Sequence, residues 1–132
     1  MEKTLPNKNN PKILIADDNL PSLMLLNYII SELLSEVEII EANNGTTVLE
    51  ILKSTKVDII FLDIMMPDFS GIEVAYLVKN ESMNHETPII AISAINFDND
   101  RKIPPNLFSE YLRKPINVEN INEILKKYIS KI

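Results

Sequence analysis

Five polar residues stand directly after short apolar runs. Asp17 and Asp18 follow 12–16 (KILIA), Asp63 follows 57–62 (VDIIFL), Ser93 follows 88–92 (PIIAI) and Lys114 follows 110–113 (EYLR). Three carboxylates brought to one point repel one another. A hard divalent cation relieves that repulsion, and an all-oxygen ligand set suits Mg2+. An ammonium such as Lys114 relieves it further. The set reads as a phosphoryl-transfer site. A cation neutralises the transferring group, Lys114 and Ser93 hold its oxygens, and one carboxylate is the nucleophile. Each piece alone has a plainer explanation. Asp-Asp-Asn after a strand is good helix-capping chemistry, an Asp before Met65-Met66-Pro67 suits a turn, and Lys-Pro alone carries no signal. The plainer explanation does not account for all five meeting at one rim.

That meeting depends on the elements between them. The runs at 12–16, 57–62 and 88–92 are almost unbroken in Ile, Leu, Val, Ala and Phe, as strands covered on both faces are. Runs at 37–42 (VEIIEA) and 110–113 complete five strands. The stretch 20–35 predicts a helix, with Pro21 tolerated in its first turn and Leu23, Leu26, Ile30, Leu33 and Leu34 on its core face. Helices are also predicted over 46–54 (core Val48, Leu49, Leu52) and 71–81 (core Ile72, Ala75, Val78). The last follows Asn117 as a cap, with Ile121, Ile124, Leu125, Tyr128 and Ile132 at helical spacing and Lys126, Lys127 and Lys131 at its end, where the dipole favours cations. Alternating strand and helix predicts an α/β domain with a parallel sheet and right-handed crossovers. Ligands of such sheets sit beyond the carboxyl ends of the strands, where the five polar residues stand.

Composition narrows the classes. At 132 residues, the chain has the length of one domain. Residues 1–11 are polar, with two prolines, and read as a flexible lead-in without a secretory signal. Lys and Arg number 13 against 19 Asp and Glu, so no basic surface is available to coat nucleic acid. Cysteine is absent, which removes disulfides, thiolate metal sites and a cysteine nucleophile. No apolar run approaches the ~20 residues that cross a bilayer. The expectation is a cytoplasmic protein with no membrane partner.

Taken in order, ILIADDN (13–19), IIFLDIMMPDFSGIEV (59–74), PIIAISA (88–94) and YLRKPI (111–116) resemble the receiver domain of two-component response regulators, over residues 12–132. The resemblance implies a flavodoxin-like fold with strand order 2-1-3-4-5 and helices on both faces. It implies Asp63 as phosphoacceptor and Mg2+ as cofactor. Asp18 would bind the metal directly, Asp17 mainly through water, and the Met65 backbone carbonyl would complete the protein ligands. Ser93 would bind the phosphoryl group beside Lys114, whose bond to Pro115 would be cis. Ser93 and Tyr111 would be the switch residues, and Gly71 the glycine of the loop after the acceptor. The implied function is a phosphorylation-switched signalling module, not an enzyme beyond assisting its own phosphorylation and dephosphorylation. Its donor would be a histidine kinase or histidine phosphotransfer protein. A downstream protein would bind strands four and five with the last helix, and a weak homodimer is a further expected partner. With no effector after the last helix, a stand-alone regulator or a hybrid-kinase receiver is expected. Apolar Met65 and Ile95 beside the hydrolytic path imply slow loss of the phosphoryl group.

Two alternatives stand beside this. One is a receiver-fold interaction module that works without phosphorylation, although such members usually lose site residues. The other is an Asp-nucleophile phosphatase, which needs a second Asp two positions after the first, where Met65 stands. A nucleotide or flavin binder would want a glycine-rich loop, and only Gly45 and Gly71 exist. His85 has no second histidine to pair with and reads as an exposed loop residue, Met65-Met66 as packing, Tyr28 and Tyr128 as partly buried, and the final lysines as a solvated helix end. The segment 96–106 breaks the pattern: Asp98, Asn99, Asp100 and Pro104-Pro105 predict a short or missing fourth helix, at most a turn or two near 105–109, anchored by Leu107 and Phe108.

Overall fold

A computed structural model describes residues 10–94, 103–104 and 106–129. Residues 1–9, the stretch 95–102 with Ile95, Pro105 and residues 130–132 with Lys131 and Ile132 lie outside the described residues.

The strands are β1 (Lys12–Ala16), β2 (Glu38–Ala42), β3 (Ile59–Asp63), β4 (Ile89–Ser93) and β5 (Glu110–Arg113). The helices are α1 (Leu20–Leu33), α2 (Gly45–Ser54), α3 (Gly71–Glu81) and α4 (Val118–Tyr128). The sheet runs β2-β1-β3-β4-β5, parallel at every pairing. Every residue of β3 and β4 is buried, which is why their sequences are apolar without alternation. Side chains alternate between faces. Leu14, Ile60, Leu62 and Ala91 join α2 and α3 through Val48, Leu52, Val74 and Val78. Ile13, Ile15, Phe61, Ile90 and Ile92 join α1 and α4 through Leu26, Ile30, Ile121 and Leu125.

Local chemistry sets the ends. The Asn19 side chain accepts from Ser22 N–H to start α1, Asn44 from Thr47 to start α2, and Asn117 from Asn120 to start α4. Ser70 and Glu73 form a reciprocal capping box on α3. The backbone turns extended at Leu34, so α1 is shorter than predicted and Leu33 and Leu34 are only partly buried, while Ile29 joins the core. Tyr28 is 62% exposed rather than partly buried. It shares the i, i+4, i+8 row of Leu20 and Met24, which turns away from the sheet. Tyr128 is half-buried, as expected. Lys127 is more than a solvated end: its ammonium donates to Glu110 at 2.7 Å, and the Tyr128 hydroxyl donates to the same carboxylate oxygen at 2.8 Å.

Among the described residues between β4 and β5 no helix occurs. Leu107 N–H turns back to Pro104 O at 3.4 Å, and Asn106 takes the left-handed φ of 69° that asparagine tolerates. Leu107 and Phe108 are buried, as the predicted anchors. No described helix is long and apolar enough to cross a membrane.

Candidate functional site

The rim is built by extending the sheet's hydrogen bonding one residue past its strands. Asp17 N–H donates to Ala42 O at 3.1 Å and Lys114 N–H to Ser93 O at 2.8 Å. Asp63 and Ser93 are themselves the last residues of β3 and β4, not the residues after them. The ladder therefore fixes their backbones, and Asp63 pairs in register with Ile92.

Asp17, Asp18 and Asp63 each place a carboxylate oxygen within 4.8 Å of the others. Asp17 is buried, and its Oδ1 accepts from Asn19 N–H at 2.9 Å, which joins the rim to the cap of α1. Asp18 is exposed. Asp63 is 3% exposed. Its Oδ1 accepts from Met65 N–H at 2.9 Å, and its Oδ2 accepts from Lys114 Nζ at 3.3 Å. The same ammonium lies 2.9 Å from Asp17 Oδ2. Ser93 is fully buried, and the Lys114–Pro115 peptide is cis. Asp17, Asp18, Asp63 and Lys114 thus meet at one rim, with Ser93 at the end of the neighbouring strand, while Tyr111 stands back on β5. It is 42% exposed, with its ring edge-on to Phe108 at 5.7 Å.

Burial raises the Asp63 carboxyl to about 6; the Met65 N–H opposes the shift, Asp17 adds to it and Lys114 opposes it. For Lys114, burial works against the ammonium, but the hydrogen bonds and charges of Asp17 and Asp63 outweigh it and raise its pKa. Three converging carboxylates, answered in part by one ammonium, are an all-oxygen donor set with surplus negative charge. That fits a hard divalent cation. Asp17, Asp18 and Asp63 would hold it, with the Met65 carbonyl.

Other candidates fall where their plain explanations put them. His85 is exposed in the turn after α3. Met66 is buried and Met65 is 56% exposed, so the adjacent pair points two ways. A cavity of about 350 Å³ opens beside the rim between Leu25 of α1 and Pro115 and Ile116 after β5.

Sequence reasoning passed over Asp68. Its Oδ1 accepts from Gly45 and Phe69 N–H, each at 2.8 Å. Its Oδ2 accepts from Thr46 N–H at 2.9 Å and from Thr46 Oγ1 at 2.7 Å. The hydrogen bonds of Thr46, Gly45 and Phe69 hold the carboxyl well below the usual carboxylate range. The available signal was an acidic residue in the loop after Asp63, but nothing local shows that it reaches a helix more than twenty positions earlier.

The response regulator receiver domain family matches residues 13–126. Stress response regulator protein 1 of Candida tropicalis is 35% identical over 97 residues, 74% of this chain and 37% of that protein. The signal transduction histidine-protein kinase BarA of Escherichia coli is 30% identical over 117 residues, 88% of this chain and 12% of that protein. The chain thus spans well under half the length of these relatives. The response regulator TrrA of Thermotoga maritima, solved in complex with Mg2+ and BeF, superimposes with a TM-score of 0.78 at 30% identity, covering 89% of this chain and 98% of that one. With the sheet order, the acidic rim and the match over most of its length in agreement, the chain belongs to the response regulator receiver domains of two-component signalling.

Proposed function

We propose that the chain is a phosphorylation-switched signalling module that accepts a phosphoryl group on Asp63 from a phosphohistidine of a histidine kinase or phosphotransfer protein. The observation that carries this is the state of the Asp63 carboxylate. It is buried, held on one oxygen by Met65 N–H and on the other by Lys114, and it lies against Asp17 and Asp18. A carboxylate oxygen attacks phosphorus in line, the P–N bond breaks, and its electron pair stays on the departing imidazole. Lys114 and the Ser93 hydroxyl hold the phosphoryl oxygens. A bound Mg2+ supplies neutralisation of the phosphoryl charge. Ser93 and Tyr111 then rearrange, and the face formed by β4, β5 and α4 presents a new surface to a downstream protein or to a second copy.

The donor's approach has support on the other side of the rim. Leu20, Met24, Leu25 and Tyr28 of α1 are all exposed, and Leu25 lines the cavity that opens beside Lys114. This apolar surface leads to the acceptor and suits the helical face of a phosphohistidine-bearing domain. Such a module works in the cytoplasm and turns over no external substrate. A phosphatase reading lacks its acid, since Met65 occupies that position with an exposed side chain.

With Mg2+ and acetyl phosphate, intact-mass spectra should show one added phosphoryl group, and Asp63→Asn should show none. Equal labelling of the variant would remove Asp63 from its role.

A further inference from the structure

We propose that Asp68 is a positioning residue for the Asp63 carboxylate, acting by strapping the loop after β3 to the first turn of α2; this rests on the reading of Asp63 as acceptor. The loop is a closed ring. Gly71 N–H donates to Ile64 O at 3.0 Å, an approach so close that a Cβ on Gly71 would lie 2.5 Å from Ile64 Cα and 2.8 Å from Asp63 O. Within the ring, Met65 presents the N–H that holds Asp63 Oδ1. Asp68 sits on the same ring, three residues on. Both its oxygens leave the ring to accept from Gly45 and Thr46, the first two residues of α2.

A second contact makes the same tie. Phe69 packs against Gly45 so closely that a Cβ there would stand 2.8 Å from the Phe69 Cβ. The helix is an anchored partner, since Val48 and Leu52 are buried in the core. Capping alone does not require this arrangement, because Asn44 already accepts from Thr47 N–H as an ordinary local cap. What Asp68 adds is a bridge between elements 22 residues apart. Without it, the ring keeps its Gly71 closure but loses its fixed distance from α2. Met65 N–H is then free to drift, and Asp63 loses the donor that holds its Oδ1 and with it the orientation of the carboxylate.

The test uses the whole chain as wild type, Asp68→Ala, Asp68→Asn and Thr46→Val, with Val78→Ala as a core truncation away from the rim. Two quantities are read: amide exchange at Met65, Met66, Asp68 and Phe69 without metal, and the Mg2+ concentration giving half-maximal phosphorylation by acetyl phosphate. Asp68→Ala should speed exchange at Met65. It should also raise the Mg2+ half-saturation about tenfold, as loss of groups supporting a metal site does, while the rate at saturating Mg2+ returns close to wild type. Asp68→Asn and Thr46→Val should fall between. Val78→Ala should lower Tm without moving the half-saturation. A lower Tm for Asp68→Ala with unchanged Met65 exchange and a half-saturation within twofold of wild type would make Asp68 a cap only and overturn the proposal. Should the wild type itself accept no phosphoryl group, the reading of Asp63 fails, while exchange at Met65 still decides whether the strap exists.

Discussion

The two ends of the sheet bury polar groups by opposite rules. At the carboxyl end, Asp17, Asp18 and Asp63 crowd together around one lysine, and burial pushes Asp63 away from its ordinary pKa. At the amino end, Asn84 is completely buried, yet every polar atom of its side chain is matched. Its Nδ2 donates to Leu52 O at 3.2 Å and Thr55 O at 2.9 Å, and its Oδ1 accepts from Val57 N–H at 2.9 Å. The Thr87 hydroxyl lies 3.1 Å from the same Oδ1, and Lys79 donates to Thr87 O at 2.8 Å. Asp17 and Asp63 are buried much as Asn84 and Thr87 are, so what separates the two ends for these groups is completeness. A fully matched buried network rigidifies a fold, whereas an incompletely neutralised one leaves potential for a ligand to use. The amino end joins the end of α2 to the strands; the carboxyl end is left to do chemistry.

The largest effect should come from breaking the complete network. Asn84→Ala strands two carbonyls and an N–H, though the Thr87 hydroxyl keeps Val57 O at 3.2 Å, and should lower stability by about 3 kcal/mol, read by urea denaturation. Its Mg2+ half-saturation should stay at the wild-type value, since the network lies at the other end of the sheet. A loss under 1 kcal/mol would show that the two ends do not differ as described.

Relieving the incomplete cluster should have the opposite sign and a smaller size. Asp18→Asn removes a like charge without touching the Asp17–Lys114 pair. Metal-free stability should rise by about 0.5–1 kcal/mol, and the thermal stabilisation produced by Mg2+ in wild type should nearly vanish. Asp17→Asn should gain no such stability, because Asp17 holds both Lys114 and the Asn19 N–H. Destabilisation of the metal-free Asp18→Asn protein would count against the repulsion argument.

The smallest effect gauges an exposed pair between these extremes. The hydrogen bonds from Lys127 and Tyr128 hold Glu110 below its ordinary value. A carboxylate with a depressed folded pKa contributes stability above its unfolded pKa and loses it as pH falls through the folded one. Glu110→Gln should therefore cost a few tenths of a kcal/mol at pH 7 and nothing once the pH is well below 4, read from Tm across that range. An equal cost at both pH values would mean that packing, not charge, is what the substitution removes.

The carboxyl end was legible in the sequence and the amino end was not. Asp17, Asp18, Asp63, Ser93 and Lys114 each sit beside an apolar run, so one rule about strand ends gathers them without coordinates. Strand order followed from the resemblance, and each helix could be read from its 3–4 spacing, though α1 ended two residues early. Asn84 lies in a polar turn (SMNHET) whose composition predicts exposure. Only the turn's return beneath α2 buries it. Tyr28 failed for a related reason: an aromatic residue on an amphipathic helix is expected near the core, but its row faces outward. Asp68 failed because its partners lie on another element. Chemistry confined to strand ends can be read from sequence, whereas polar contacts between loops and distant helices require the folded chain.

The margins of the sheet bear on how copies of the protein meet. An open sheet ends in two strands with unpaired backbone groups, which invite pairing with another chain. Here both margins are short and carry charge. β2 reads Glu-Ile-Ile-Glu-Ala, with both glutamates exposed, and β5 has four residues, with Arg113 exposed at its end. Two β2 margins brought together would set glutamates against glutamates, and β5 offers little length to template a fibre. Short length and edge charge thereby work against pairing of sheet edges between copies of the domain.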